Sequence, residues 1–165
     1  MVVALGSPSI QSAPAGIGSL ADNGCTCHGG YSNTTQPIIL GLPEKFESNI
    51  TYDLALSVEA YSGQHSESAQ GGFRLLISNG SVEIQNQSRV QFLDGGWTHT
   101  ESGNQYRSWN LTWTAPSDNT TTVDFVLHGN AVNGNGNSEG DMWNSFGTVL
   151  PGAQHEGPVE QLNLT

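Results

Sequence analysis

The sequence predicts an all-β fold, an immunoglobulin-like antiparallel β-sandwich with extended N- and C-terminal segments. Three observations predict it. Short runs alternate apolar and polar residues with a period of two, turn residues punctuate them at the intervals usual in sandwiches, and no stretch carries a 3.6-residue apolar stripe of useful length. At 165 residues the chain has the length of one domain with short tails.

Residues 1–22 are rich in Ser, Pro, Ala and Gly without a hydrophobic period, and read as a linker or extended arm. The sandwich is expected over residues 23–150. Within it, Ile38-Ile39-Leu40 and Tyr52 to Val58 read as strands. Gly72 to Ile77 and Ser81 to Ile84 flank the turn dipeptide Asn79-Gly80 and read as a hairpin. Val90 to Leu93 and Trp97 to Thr100 flank Asp94-Gly95-Gly96. Ser108 to Thr114 alternates most cleanly, which sends Trp109, Leu111 and Trp113 to the core. Thr122 to His128 alternates again after the turn Ala115-Pro116-Ser117-Asp118. Residues 151–165, with Pro151, Gly152, Gly157 and Pro158, read as a C-terminal linker.

Composition excludes whole classes of partner. Four Lys+Arg stand against 15 Asp+Glu, for a formal net charge of −11, so no basic patch exists to neutralise phosphates, and nucleic acid and anionic membranes are set aside. No apolar run reaches the ~20 residues of a membrane-spanning helix. Low Lys and abundant Asn, Ser and Thr suggest an exported protein working outside the cytoplasm or on the cell surface. Seven Asn-x-Ser/Thr sequons, at Asn33, Asn49, Asn79, Asn86, Asn110, Asn119 and Asn163, agree with that and mark a candidate glycoprotein.

The dense chemistry lies in Cys25-Thr26-Cys27-His28. Three readings stay open. A c-type haem site reads Cys-x-x-Cys-His, in which two thiols add to the porphyrin vinyl groups and the adjacent His reaches the iron; here the Cys27-His28 half is intact and the spacer is one residue short. Copper or zinc also suits thiolate and imidazole, with a further ligand from elsewhere in the chain. In the third reading the Cys pair is structural and no cofactor is bound, although a bridge between residues two apart closes a very small ring. A second axial ligand for iron would come from His65, His99, His128, His155 or Met142. The Asn/Gly run from Gly129 to Asp141 lacks the acidic first ligand and the sixth-position Gly of an EF-hand, and reads as a long loop. With no Gly-x-Ser-x-Gly elbow and no phosphate loop, an electron carrier or binding module is expected rather than a hydrolytic enzyme.

Gly24-Cys25-Thr26-Cys27-His28-Gly29-Gly30, Ile39-Leu40-Gly41-Leu42-Pro43, Gly72-Phe73, Thr98-His99-Thr100, Trp109 to Pro116, Gly129-Asn130-Ala131 and Gly140-Asp141 follow one another in an order that resembles the Reeler-like "choice-of-anchor V" domain of microbial surface proteins. The resemblance spans roughly residues 22–150. It implies a secreted sandwich with an anchoring tail, and many such domains open with Cys-x-x-Cys-His. It also singles out His99, so that His28 and His99 become the expected axial pair for haem c, with Cys27, and Cys25 where the backbone allows, as thioether positions. Trp97, Trp109 or Trp143 would line the cofactor pocket. Redox partner proteins or neighbouring surface proteins are the expected partners, and a homo-oligomer or filament is compatible with such a role.

Overall fold

A computed structural model describes residues 13–25, 30–61, 70–135 and 137–164. Among them nine strands form two antiparallel sheets. One sheet holds β1 (Thr35–Leu40), β2 (Thr51–Ala60), β4 (Ser81–Ile84) and β7 (Ser108–Thr114), in the order β1-β2-β7-β4. The other holds β3 (Gly71–Ile77), β5 (Val90–Leu93), β6 (Gly96–His99), β8 (Thr122–Ala131) and β9 (Met142–Pro151), in the order β5-β6-β3-β8-β9. The expected sandwich is the observed fold.

Period-two alternation builds the core. Leu54, Leu56 and Val58 of β2 and Trp109, Leu111 and Trp113 of β7 face Phe73 and Leu75 of β3 and Val123, Phe125 and Leu127 of β8, all of them buried. Trp113 is the hub: its ring meets Phe125 edge-on at 5.0 Å and Phe46 at 5.8 Å, and stacks on Tyr52 at 5.7 Å. Both core indoles satisfy their polar atom, Trp113 Nε1 donating to the Asn79 carbonyl and Trp109 Nε1 to that of Gly103. Burying a large aromatic side chain stabilises by roughly 2–3 kcal/mol, with edge-on pairs adding about 0.5–1.5 kcal/mol.

The turn Asp94-Gly95 closes the β5–β6 hairpin as expected, with φ of 46° and 80° and Leu93 paired to Gly96. Such positive φ values at both central residues suit the right-handed twist of a tight hairpin. The Asn79-Gly80 turn behaves otherwise. It carries the chain from one sheet to the other, because β3 already has β6 and β8 on its two sides, and β4 pairs with β7 instead of β3. The Trp113 indole on the Asn79 carbonyl fixes that crossing.

Strand β9 has no counterpart in the sequence reading. Its large apolar residues, Met142, Trp143, Phe146, Val149 and Leu150, fall at both even and odd positions and Gly147 interrupts them, so no period of two is visible. It pairs with β8 along its whole length. The C-terminal tail lies over it, close enough that a Cβ on Gly147 would sit 2.7 Å from Leu164 Cδ1.

The outer face of the five-stranded sheet is covered by the arm as well. Residues 13–25 run across it: the Ile17 N–H reaches Thr98 Oγ1 of β6, Ala21 is buried in a short 3-10 turn, and Asp22 meets Arg74 of β3 and His128 of β8. Arg74 is register-paired with both Thr98 and His128, so these three polar side chains lie abreast under the arm. The arm explains why they are buried.

Candidate functional site

The arm brings Cys25, the first residue of the thiol motif, to this covered face. Arg74, fully buried, donates from Nε to Asp22 Oδ1 at 2.8 Å and from its two terminal nitrogens to the carbonyls of Leu93 and Asp94 at 2.6 and 2.8 Å. Asp22 is thereby fixed three residues before Cys25. Gly24 follows with φ of +111°, and a Cβ there would lie 2.5 Å from the Trp143 ring, so the backbone passes flat against that indole. Cys25 is buried beside it. Thr26, Cys27, His28 and Gly29 lie outside the described residues.

The chain returns to the same place at Tyr31. Its ring meets Trp143 edge-on at 5.5 Å, and Ser32 donates its N–H to the Trp143 carbonyl. Asp22 and Asn23 on one side of the motif and Tyr31 on the other line one pocket of about 360 Å³, completed by His128, Trp143 and Leu164. That volume is at the lower end for small-molecule sites.

The imidazoles are held in particular tautomers. His128 donates from Nε2 to the Asp22 carbonyl at 3.0 Å, which leaves Nδ1 to accept the Ser145 hydroxyl at 2.6 Å. Burial lowers its pKa; the bond to the Asp22 carbonyl and the Asp22 charge oppose that, and the charge of Arg74 adds to it. His128 is therefore neutral, with both ring nitrogens engaged.

His99 sits where β6 ends. Its Nδ1 accepts the Phe73 N–H at 3.2 Å, its ring lies 6.5 Å from that of Trp109, and a Cβ on Gly72 would fall 2.6 Å from Cε1. An imidazole that accepts a backbone N–H at Nδ1 carries its proton on Nε2. A ligating histidine shows the reverse arrangement, donating from one nitrogen while the other binds metal. The expected partner of His28 thus has the bonding pattern of a packing histidine.

The remaining candidates are dispersed. Met142 Sδ accepts from Thr34 Oγ1 at 3.8 Å, His155 donates from Nδ1 to the Thr120 carbonyl, and His65 lies outside the described residues. Among the described residues no three His, Cys, Asp or Glu side chains come together as a metal site; Cys27 and His28 are not in that set. Of the three tryptophans named from the sequence, Trp143 lines the pocket, Trp109 lies in the core and Trp97 packs against the core's edge. Asp22, Tyr31 and Leu164 belong to the site without having been expected there. Only proximity to the motif could have signalled Asp22 and Tyr31, and nothing in the sequence links Leu164 to it.

No protein-family model matches the chain, and no curated protein matches it. Similar solved structures include the Reelin-N domain of F-spondin (TM-score 0.49, 20% identity, covering 74% of this chain and 88% of that one). They include also the human F-spondin reeler domain (TM-score 0.49, 19% identity, 74% and 91%) and a conjugative transposon lipoprotein from Bacteroides eggerthii (TM-score 0.43, 14% identity, 70% and 97%). The likeness is one of fold.

Proposed function

We propose that this chain is an exported, cell-surface β-sandwich module that carries a c-type haem on the outer face of its five-stranded sheet and exchanges electrons with neighbouring redox proteins. One observation carries the reading: the residues on either side of Cys25-Thr26-Cys27-His28 line a single pocket walled by Tyr31, Trp143 and Leu164. Cys25, the first residue of the motif, is buried beside this aromatic cleft.

The surroundings suit one edge of a flat, partly apolar group better than its full enclosure. Asn130, register-paired with Trp143, also holds its Oδ1 buried without a hydrogen-bond partner among the described residues, an acceptor that a bound polar group could satisfy. Cys27 and Cys25 would hold the haem through thioether bonds and His28 through its imidazole. A haem held there supplies a one-electron iron couple. The protein's own part is to fix the motif by the Asp22–Arg74 and Asp22–His128 contacts and to exclude water with the two aromatic rings.

The full chain, exported in a host competent for cytochrome maturation, tests this. We expect a Soret band, haem stain that survives denaturing electrophoresis, and about 0.6 kDa of added mass. The His28→Ala variant loses the native Soret position. A colourless protein containing zinc or copper would replace haem by a thiolate metal site. A colourless, metal-free protein would leave a surface adhesion or display module with a structural Cys pair. The exported setting also makes the sequons potential acceptors of N-linked glycan.

A further inference from the structure

The two outer faces of the sandwich differ in a way that bears on modification. The five-stranded sheet is covered by the arm and the C-terminal tail. The outer face of the four-stranded sheet presents short polar side chains, among them Thr51, Asp53 and Glu59 of β2, Ser108 and Asn110 of β7, and Ser81 and Glu83 of β4, all exposed. Four of the seven sequons border this side; Asn49, just before β2, holds a left-handed φ of 58°, whereas Asn79, Asn86 and Asn110 do not. Asn110 stands in the middle of β7, register-paired with the small Ala55 of β2, which leaves lateral room beside its amide. Asn79 is exposed in the β3–β4 crossing, with the hydroxyl residue of its sequon, Ser81, exposed as well. Asn86 lies in the β4–β5 turn, where its Oδ1 accepts both the N–H and the hydroxyl of Ser88, at 3.1 and 2.6 Å. That brings the sequon hydroxyl against the acceptor amide. Asn119 is the opposite case. It is 8% exposed, its Nδ2 points to Glu47, and its carbonyl accepts the Gln154 N–H, with the Gly152 backbone packed against it.

We infer that N-linked glycans occupy Asn79, Asn86 and Asn110, coating the four-stranded face, while Asn119 stays bare. In each transfer the amide nitrogen forms a bond to the anomeric carbon of a polyprenyl-phosphate-linked oligosaccharide. The bond from that carbon to the phosphate oxygen breaks, the lipid phosphate leaves, and the amide gives up one proton to solvent. The inference rests on the exported reading and not on the cofactor.

The test is site-resolved peptide mass mapping of the full chain secreted from an N-glycosylating host behind a secretory leader, with enzymatic glycan release in heavy-oxygen water. Glycan is expected at all three asparagines and none at Asn119. Ser81→Ala, Ser88→Ala and Thr112→Val each remove one glycan, and Asn119→Gln removes none. Glycan on Asn119 of the cooperatively folded protein, or two or more of the three sites bare, overturns the inference. Because the leader supplies entry to the secretory route, these results stand apart from the cofactor reading: a glycosylated protein without a Soret band sinks the haem alone. Fractionation of the native source tests export by itself.

Discussion

Asp22 of the N-terminal arm takes the Nε–H of Arg74 at 2.8 Å, in a sheet where Arg74 has no exposed surface. This contact holds the arm across β3 and sets where the thiol motif begins. Asp22 is about one-third exposed, so the Coulomb part is screened, and the main cost of breaking the pair is a buried guanidinium N–H left without an acceptor. The Asp22→Ala variant is therefore expected to lose about 1–3 kcal/mol. Arg74→Met also strips donors from the Leu93 and Asp94 carbonyls and is expected to cost about 3–5 kcal/mol. Urea midpoints check both. Limited proteolysis should cut Asp22→Ala within residues 13–25 before the sandwich opens, and simultaneous loss of arm and sandwich would show that the strap is not a separate unit.

A second prediction concerns acid. His128 is held neutral by burial, so its folded pKa lies below the ordinary value of about 6.5. Between the two pKa values the unfolded chain binds more protons than the folded one, and stability rises with pH there. The contribution is present above about 6.5 and is lost as pH falls below it. Urea midpoints at pH 7.5 and 5.5 should differ more in the native protein than in His128→Gln, which keeps a donor for the Asp22 carbonyl. Equal pH slopes in the two would remove His128 from the account.

The contrast between what could and could not be read from the residues has a physical origin. Alternation in Trp109-Asn110-Leu111-Thr112-Trp113 is a local signal, because a half-buried strand sorts its side chains by face, and β7 follows it. Asp94-Gly95 likewise states its turn locally through positive φ. Asn79-Gly80 carries the same local signal, yet its outcome depends on whether β3 has a free side, which only the finished sheet decides. Covering elements were illegible for the same reason. The arm carries no hydrophobic period because it is held by single contacts, Asp22 to Arg74 and Gly24 to Trp143, each spanning scores of residues. The imidazole roles were hidden too, since spacing says nothing of which ring nitrogen holds the proton.

Gly24 offers a direct handle on the motif. Its φ of +111° disfavours any side chain, and a Cβ would press on the Trp143 ring at 2.5 Å. Strain and overpacking together predict a loss of about 2–4 kcal/mol for Gly24→Ala. The damage should stay local to the arm and β9. A changed Trp143 emission together with a shifted Soret band in the haem-loaded protein is expected, while the core around Trp113 keeps its near-ultraviolet dichroism. A variant that loses that core signal as well would mean that Gly24 supports the whole sandwich.

His99 separates the two accounts of the iron site most sharply. If it ligates, its Nε2 must give up the proton that the Phe73 N–H bond to Nδ1 places there, or the ring must turn over and leave that buried N–H without an acceptor, at about 1–3 kcal/mol. We therefore expect His99→Gln, whose side-chain oxygen can still accept the Phe73 N–H, to load haem with an unchanged Soret position and reduction potential while losing some thermal stability beside Trp109. His28→Ala is expected to do the reverse, keeping the fold and shifting or abolishing the spectrum. A conversion of His99→Gln alone to a high-spin spectrum would restore His99 as the second axial ligand, and would require that its ring turns over when the cofactor is attached.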